Sequence, residues 1–284
     1  LSFPGAGSGP SNLSGLRPGS QHNQVRSHVF VITLIYLVYL AAPIALLFVG
    51  SFGASWTNTL LPSGFTDRWY MEVFTDPSFQ RAFTTSLQVV GATCLINAVL
   101  GVPLAYAIFA AAHRGVQVAA RIMSLLPIAV PELVLAFGFI LVFSSDTLPF
   151  LGSVWLLIAA HVVVTLPYLL NTLLADMRHL GLGEMERVAD TLGASFANRF
   201  FDIVLPSLRY SLLSGLIMVA AISIGEFQIS NLVAGFLSRT YPVVLLQAFY
   251  GATGFACAAT VVLLVLAFVA AGGGALAARA GHAR

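Results

Sequence analysis

Six long apolar runs, separated by shorter polar stretches, set out the architecture of this chain. The first, Val29 to Gly50, is long enough to cross a hydrocarbon core of about 30 Å as a helix. The loop that follows to Gln80 carries Trp56, Trp69 and Tyr70, ring types that favour the membrane interface. Phe83 to Ala112 forms the second run. The third, Ile122 to Phe143, contains Pro127 and Pro131, so a kink is predicted there. Val154 to Leu174 is the fourth, and Leu212 to Val233 the fifth. The sixth, Val243 to Ala271, follows Tyr241-Pro242, where a first-turn proline costs no helical hydrogen bond. Its Gly251-Ala252-Thr253-Gly254 stretch permits close helix approach, and Gly272-Gly273-Gly274 is expected to end it. The expectation is an all-α polytopic membrane protein with six transmembrane helices and no internal repeat.

Composition narrows this further. Charged residues make up 8% of the chain against 58% hydrophobic, with a mean hydropathy of +0.91. A soluble domain carries about 25% charged residues. The net charge of +2, without a basic stripe, excludes a nucleic-acid partner. Lysine is absent, so ATP hydrolysis through a Walker A loop is excluded. Cys94 and Cys257 sit in apolar runs as small hydrophobes, and the histidines lack metal-ligand spacing. Residues 1–28, rich in Gly, Ser, Pro and Asn, are expected to form a flexible tail. The first apolar run begins too late, and is too long, for a cleavable signal peptide. Of the 13 arginines, ten fall on one side of the predicted topology, including Arg114, Arg178, Arg187 and Arg199. Only Arg68, Arg81 and Arg239 fall on the other. That asymmetry puts both termini in the cytoplasm of a multi-pass protein of the bacterial cytoplasmic (inner) membrane.

The polar interlude at 176–209 is then cytoplasmic as well. Met185, Val188, Ala189 and Leu192 share one helical face, with Glu184, Glu186, Arg187 and Asp190 on the remainder. Gly193 stops or bends this helix, Ser195 caps a second one through Phe201, and Pro206 marks the turn toward the fifth run. Two readings follow for the resulting knob. It is a linker resting its apolar face on the bilayer, or a short helix offered to the groove of a cytoplasmic partner. Phe196, Phe200, Ile203 and Leu205 offer more apolar surface than a linker needs.

Gly193, Ile203 ten residues later and Leu205-Pro206 match the spacing of the EAA signature. Val188 and Ala189 stand at its two small-residue positions. On these residues, and on Gly101-Val102-Pro103-Leu104-Ala105-Tyr106 and Val130-Pro131-Glu132, the chain resembles the membrane (permease) subunits of type I ABC importers. Within them it looks most like the polyamine, ferric-ion and phosphonate branch. It departs at the opening glutamate, where Arg187 stands with Glu186 one residue earlier. The resemblance implies the MetI-like permease fold over 29–276, flanked by tails at 1–28 and 277–284. It implies a second permease subunit, homologous or identical, a cytoplasmic ABC ATPase dimer and a periplasmic or extracellular solute-binding protein. ATP and Mg belong to the ATPase partners, and this chain has no cofactor, metal or catalytic residue of its own. Glu186, Arg187, Val188, Ala189, Leu192, Gly193, Ala194, Ser195 and Phe196 are the residues expected to couple to the ATPase.

Two acids lie within spans, where an ionisable group usually faces a protein interior or a water-filled cavity. Glu226 continues into Gln228 and Asn231, and with Glu132 these are the candidates for the solute pathway. The alternative for each acid is a pin that hydrogen-bonds a neighbouring helix. A rival function, an ion-coupled secondary carrier or channel, would use the same two acids.

Overall fold

The computed structural model describes residues 18–56, 59, 61–111 and 113–282. The chain divides into two compact units at Leu47 and Phe48. The first unit contains most of helix α1 (Pro18–Ser51), whose His28–Ser51 portion has a mean hydropathy of 2.5. Helix therefore begins inside the stretch expected to be a flexible tail, and residues 1–17 of that tail lie outside the described residues.

The second unit opens with a two-stranded antiparallel pair, β1 (Gly53–Ser55) and β2 (Ser63–Phe65). Helix α2 (Arg68–Thr75) follows, and Asp76 ends it. The same Asp76 starts α3 (Pro77–Ala110), its carboxylate accepting from the backbone N–H groups of Ser78 at 2.7 Å and Phe79 at 3.1 Å. Pro77 fits the first turn because its missing donor would have found no helical acceptor. Two of the aromatic residues expected at the interface, Trp69 and Tyr70, also tie this end of the second unit together. Trp69 is buried and donates from Nε1 to the Gly53 carbonyl at 2.8 Å, and the Tyr70 hydroxyl meets Ser51 Oγ at 2.7 Å.

The third apolar run is two helices, α4 (Arg114–Ala129) and α5 (Glu132–Phe143), bent by 96°. The expected kink is thus close to a right-angle change of direction. Its cause is local: the residue before a proline is pushed out of helical geometry, and Val130 is extended at ψ 131° ahead of Pro131. Helix α6 (Val154–His179) is an unbroken span capped by Ser153. The interlude forms α7 (Leu182–Thr191), α8 (Phe196–Asn198), a π-helical turn (Arg199–Val204) and α9 (Leu205–Ser207). The fifth run breaks at Glu226 into α10 (Arg209–Gly225) and α11 (Gln228–Val233). The sixth splits into α12 (Tyr241–Ala248) and α13 (Thr253–His282). Gly254 lies against the Trp69 indole with no room for a methyl group, so its close approach is to a ring at the helix start. Helix α13 passes through Gly272–Gly274, where an end was expected. The described residues thus contain three uninterrupted helices able to cross a membrane, or five spans if each bent pair counts as one, against the six expected.

The main core joins α3, α6 and α10. Leu169 is fully buried and projects between two glycines, Gly101 of α3 and Gly215 of α10. A Cβ on Gly101 would come within 2.7 Å of Leu169 Cδ2, so α3 packs against α6 only because that side chain is missing. The same holds for Gly215 and Leu169 Cδ1 on α10. This core continues through Leu170, Leu173 and Met177 to Leu182, Val204 and Leu208 of the interlude. The knob therefore grows out of the transmembrane core. Truncating Leu169 to Ala leaves a cavity that the rigid glycine backbones cannot fill, at a cost of about 3 kcal/mol. Thermal unfolding of the purified protein checks this, and Leu169→Met, which conserves volume, is expected to cost less than about 1.5 kcal/mol.

Candidate functional site

Helix α6 hands over to the knob at Gly181, which adopts the left-handed region at φ 63°. Leu182 is then driven into the core, and this anchor sets the orientation of α7. Ala189 is buried on the same side. Met185, Val188 and Leu192 face outward instead, Leu192 being 82% exposed. The amphipathic face read from the sequence is therefore split, its small member packing inward and its large members unburied.

Gly193 ends α7 at φ 77°. The Ala194 N–H reaches the Ala189 carbonyl at 3.0 Å, and the Gly193 N–H reaches that of Asp190 at 2.9 Å. This pair of bonds is a Schellman motif, and its left-handed residue is usually Gly. Ser195 Oγ then accepts from the Asn198 N–H at 3.2 Å, capping α8 as the sequence predicts. Phe196 stands 60% exposed beside the turn, its ring stacked on Phe200 at 6.1 Å. The helix continues past the expected end at Phe201 and bends by 62° after Ser207. The change of direction thus comes just after Pro206. Proline removes a backbone donor and crowds the carbonyl four residues back. The preceding turn is widened to the π form, in which the Leu205 N–H reaches the Phe200 carbonyl five residues away.

Three polar contacts hold the knob. Glu186 accepts from the Tyr106 hydroxyl of α3 at 2.5 Å. Arg199 pairs with Asp190 at 2.9 Å, tying the π turn to α7. Arg187 pairs with Glu184 at 2.6 Å, and both side chains are about three-quarters exposed. The acid and the base at the head of the signature thus part company. Glu186 turns inward to its own chain, and Arg187 stays on the outer face. Sequence reasoning missed Tyr106, Leu182 and Arg199 as positioning residues. Tyr106 had a signal, since it closes the Gly101–Tyr106 stretch.

The in-span candidates separate in the same way. Glu226 is 6% exposed, and its two oxygens are fully engaged. Oε1 accepts from the Ile229 N–H at 2.7 Å, while Oε2 accepts from the Ser230 N–H at 3.0 Å and the Ser230 hydroxyl at 2.5 Å. His161 Nε2 of α6 stands 3.4 Å from Oε2, with its Nδ1 2.7 Å from Ser223 Oγ of α10. Glu226 thus caps the start of α11 across the break in the fifth run, with its carboxylate engaged inside the chain. Gln228 and Asn231 share one exposed face of α11, while Ile229, Ser230 and Val233 are buried opposite. Glu132, half-buried in the first turn of α5, makes no side-chain hydrogen bond among the described residues. Also among the described residues, no cluster of His, Cys, Asp or Glu has the makings of a metal site.

Residues 97–279 match the family model described as binding-protein-dependent transport system inner membrane component. The chain is 31% identical over 214 residues to the molybdate/tungstate transport system permease protein WtpB of Pyrococcus abyssi, covering 75% of this chain and 79% of that one. It is 26% identical over 198 residues to the putative 2-aminoethylphosphonate transport system permease protein PhnV of Salmonella typhimurium, covering 69% and 72%. A chain of the bacterial alginate ABC transporter, solved in complex with an alginate pentasaccharide-bound periplasmic protein, shares the fold. Its TM-score is 0.71 at 16% identity, covering 89% of this chain and 93% of that one.

The engaged and unengaged polar residues are expected to respond differently to substitution. Glu226→Gln turns an amide N–H₂ toward backbone donors and should cost about 1–3 kcal/mol. Gln228→Ala removes an exposed side chain and should change stability by less than about 0.5 kcal/mol. Melting temperatures of the two purified variants check this, and equal values would break the distinction.

Proposed function

The chain belongs to the binding-protein-dependent transport system inner membrane component family, and we propose that its knob is the seat of the cytoplasmic ATPase that drives import. It is a multi-pass inner-membrane permease subunit of an ABC importer, and it is not an enzyme. One observation carries the docking assignment. Met185, Val188, Leu192 and Phe196 form an exposed apolar row around a left-handed glycine, on a knob whose inner side belongs to the core. A helix face of this kind suits a groove. Glu186, Ala189 and Ala194 shape the knob from behind, Gly193 and Ser195 lie exposed at the turn, and Arg187 meets the groove with its charge partly answered by Glu184.

The proposed mechanism follows from that construction. ATP-driven closure of the ATPase dimer moves the knob, and Leu182, Val204 and Leu208 pass the displacement directly to α3, α6 and α10. A second permease subunit completes the pathway, and an external solute-binding protein delivers the solute. Both termini lie in the cytoplasm in this arrangement. The face of α11 with Gln228 and Asn231, together with Glu132, contacts the small solute. Glu226 acts indirectly, by fixing the break that orients that face. Polyamines, phosphonates and ferric ions fit the size of cargo proposed, which the relatives' names extend to oxyanions.

Substitutions at the turn test the docking surface. Nothing lies within 4 Å of a Cβ built on Gly193, so any side chain there projects outward. Gly193→Glu is expected to lower uptake at least tenfold and to weaken retention of the ATPase during purification, with membrane insertion intact. Gly193→Asn, which tolerates left-handed geometry, should retain most activity. Leu192→Glu, at a side chain with little left to lose in the free subunit, should act like Gly193→Glu. Uptake at the parent rate in both charged variants would overturn the assignment, and uptake independent of ATP would favour the secondary-carrier reading.

A further inference from the structure

Helix α6 meets the knob at one end and lies beside the break at Glu226 near the other. It runs without interruption from Val154 to His179, and Leu182 anchors the knob in the core just beyond it. At the level of the break, about 27 Å along the helix from His179, stands the fully buried His161. Its ring reaches two other helices. Nδ1 is 2.7 Å from Ser223 Oγ of α10, while Nε2 is 3.0 Å from Ser230 Oγ of α11 and 3.4 Å from Glu226 Oε2.

Elimination assigns the donors. The Ser230 hydroxyl gives its hydrogen to Glu226 Oε2 at 2.5 Å, so the bond between His161 Nε2 and Ser230 Oγ is donated by the ring. A ring with its hydrogen on Nε2 leaves Nδ1 to accept from the Ser223 hydroxyl, and both partners are satisfied. His161 is itself held from the side of α3. Its carbonyl accepts from Thr165 Oγ1 at 2.6 Å, and Thr165 Oγ1 accepts in turn from Asn97 Nδ2 at 2.8 Å. Around this link the contact between α6 and α11 is apolar, with Leu156, Ala160 and Val164 in one buried cluster with Ile229 and Val233. Packed apolar surfaces slide past one another in small steps, as in shear motions, whereas a hydrogen bond fails outside a narrow range of distance and angle. His161 is therefore the contact that obliges α11 to go where α6 goes.

We propose that His161 is a positioning residue of the transport cycle, which through Ser230 and Glu226 makes the Gln228 and Asn231 face of α11 follow the movement that the knob imparts to α6. The inference deepens the importer reading and rests on its assignment of that face to the solute. Ser230 and the solute face lie on opposite sides of α11, so a pull on the buried side turns the exposed one. Two substitutions separate the link from packing. Glutamine places an N–H₂ donor near the position of Nε2 and keeps the bond to α11. Asparagine places its polar atoms near Nδ1, keeping the contact with Ser223 and leaving Ser230 without its donor.

The test uses the assembled transporter in proteoliposomes with its cognate binding protein saturated with solute, measuring the ATP hydrolysed per solute imported. His161→Asn is expected to raise this ratio about fivefold or more, hydrolysis persisting while uptake falls. His161→Gln should keep it within about twofold of the parent. Ser230→Ala removes the hydroxyl and leaves both backbone bonds to Glu226, and it should act as His161→Asn does; it carries the same prediction if His161→Asn fails to assemble. A residue that only holds the fold together loses uptake and hydrolysis in step. An unchanged ratio in both His161→Asn and Ser230→Ala therefore overturns the proposal, as does a ratio raised equally by His161→Gln. The double change Gln228→Ala, Asn231→Ala tells the two layers apart. Uptake at the parent rate in that variant would sink the solute-face assignment and the proposal with it. Uptake lowered there, with the ratio unchanged at His161 and Ser230, overturns the proposal alone.

Discussion

Leu169, seated between the missing side chains of Gly101 and Gly215, is the contact on which the rest of the structure depends. In a bilayer, lipid tails are as apolar as leucine, so helices gain little from hydrophobicity alone and associate through close packing. A bulky side chain entering two glycine hollows is such packing, and it brings α3, α6 and α10 to one point. Towards the knob, the same core runs through Leu173 and Met177 into Leu182, Val204 and Leu208. Towards the other end, helices that converge at Leu169 leave room for polar links. Asn97 of α3 donates to Thr165 of α6 at 2.8 Å, and His161 reaches Ser223 and Ser230. The apolar clamp sets the distance between helices, and the buried polar contacts set their register.

The single-helix spans and the interlude were legible in the sequence because their signals are local. Hydropathy marks α3 and α6 over most of their length, and Gly193 and Ser195 announce a turn and a cap through their own backbone chemistry. The broken spans were less legible. Pro131 marked the position of the break between α4 and α5, but its 96° angle depends on what α5 packs against, Ile229 and Val233 of α11 among them. No proline marks the break at Glu226. That break is held by a carboxylate satisfying the start of α11, beside His161 of α6, which Ser223 of α10 holds in turn, and only the tertiary fold supplies these. The candidate site shows the same division. The outward residues of the knob follow from helical period, whereas the inward contacts of Glu186 to Tyr106 and of Arg199 to Asp190 join positions 80 residues apart and across a turn.

Arg187 acquires a physical meaning from these contacts. An acid at the head of the interlude serves here as an internal strut, and it is Glu186, one residue earlier, that supplies it. A shift of one residue along a helix turns a side chain by about 100°. The carboxylate then faces the core, and the next position carries a cation on the exposed face. The exposed charge is thereby uncoupled from the bond that steadies the knob.

The π turn at Arg199–Val204 has one further consequence. A π turn is an α-helix carrying one extra residue, and such an insertion changes the phase of everything on one side of it by about 100°. Val204 and Leu208 are fixed in the core on one side, and Phe196 looks outward on the other. The azimuth of the exposed Phe196 face relative to α10 is therefore written as a residue count. Losing a single residue from this stretch would rotate the Phe196 end away while leaving composition and hydropathy almost unchanged.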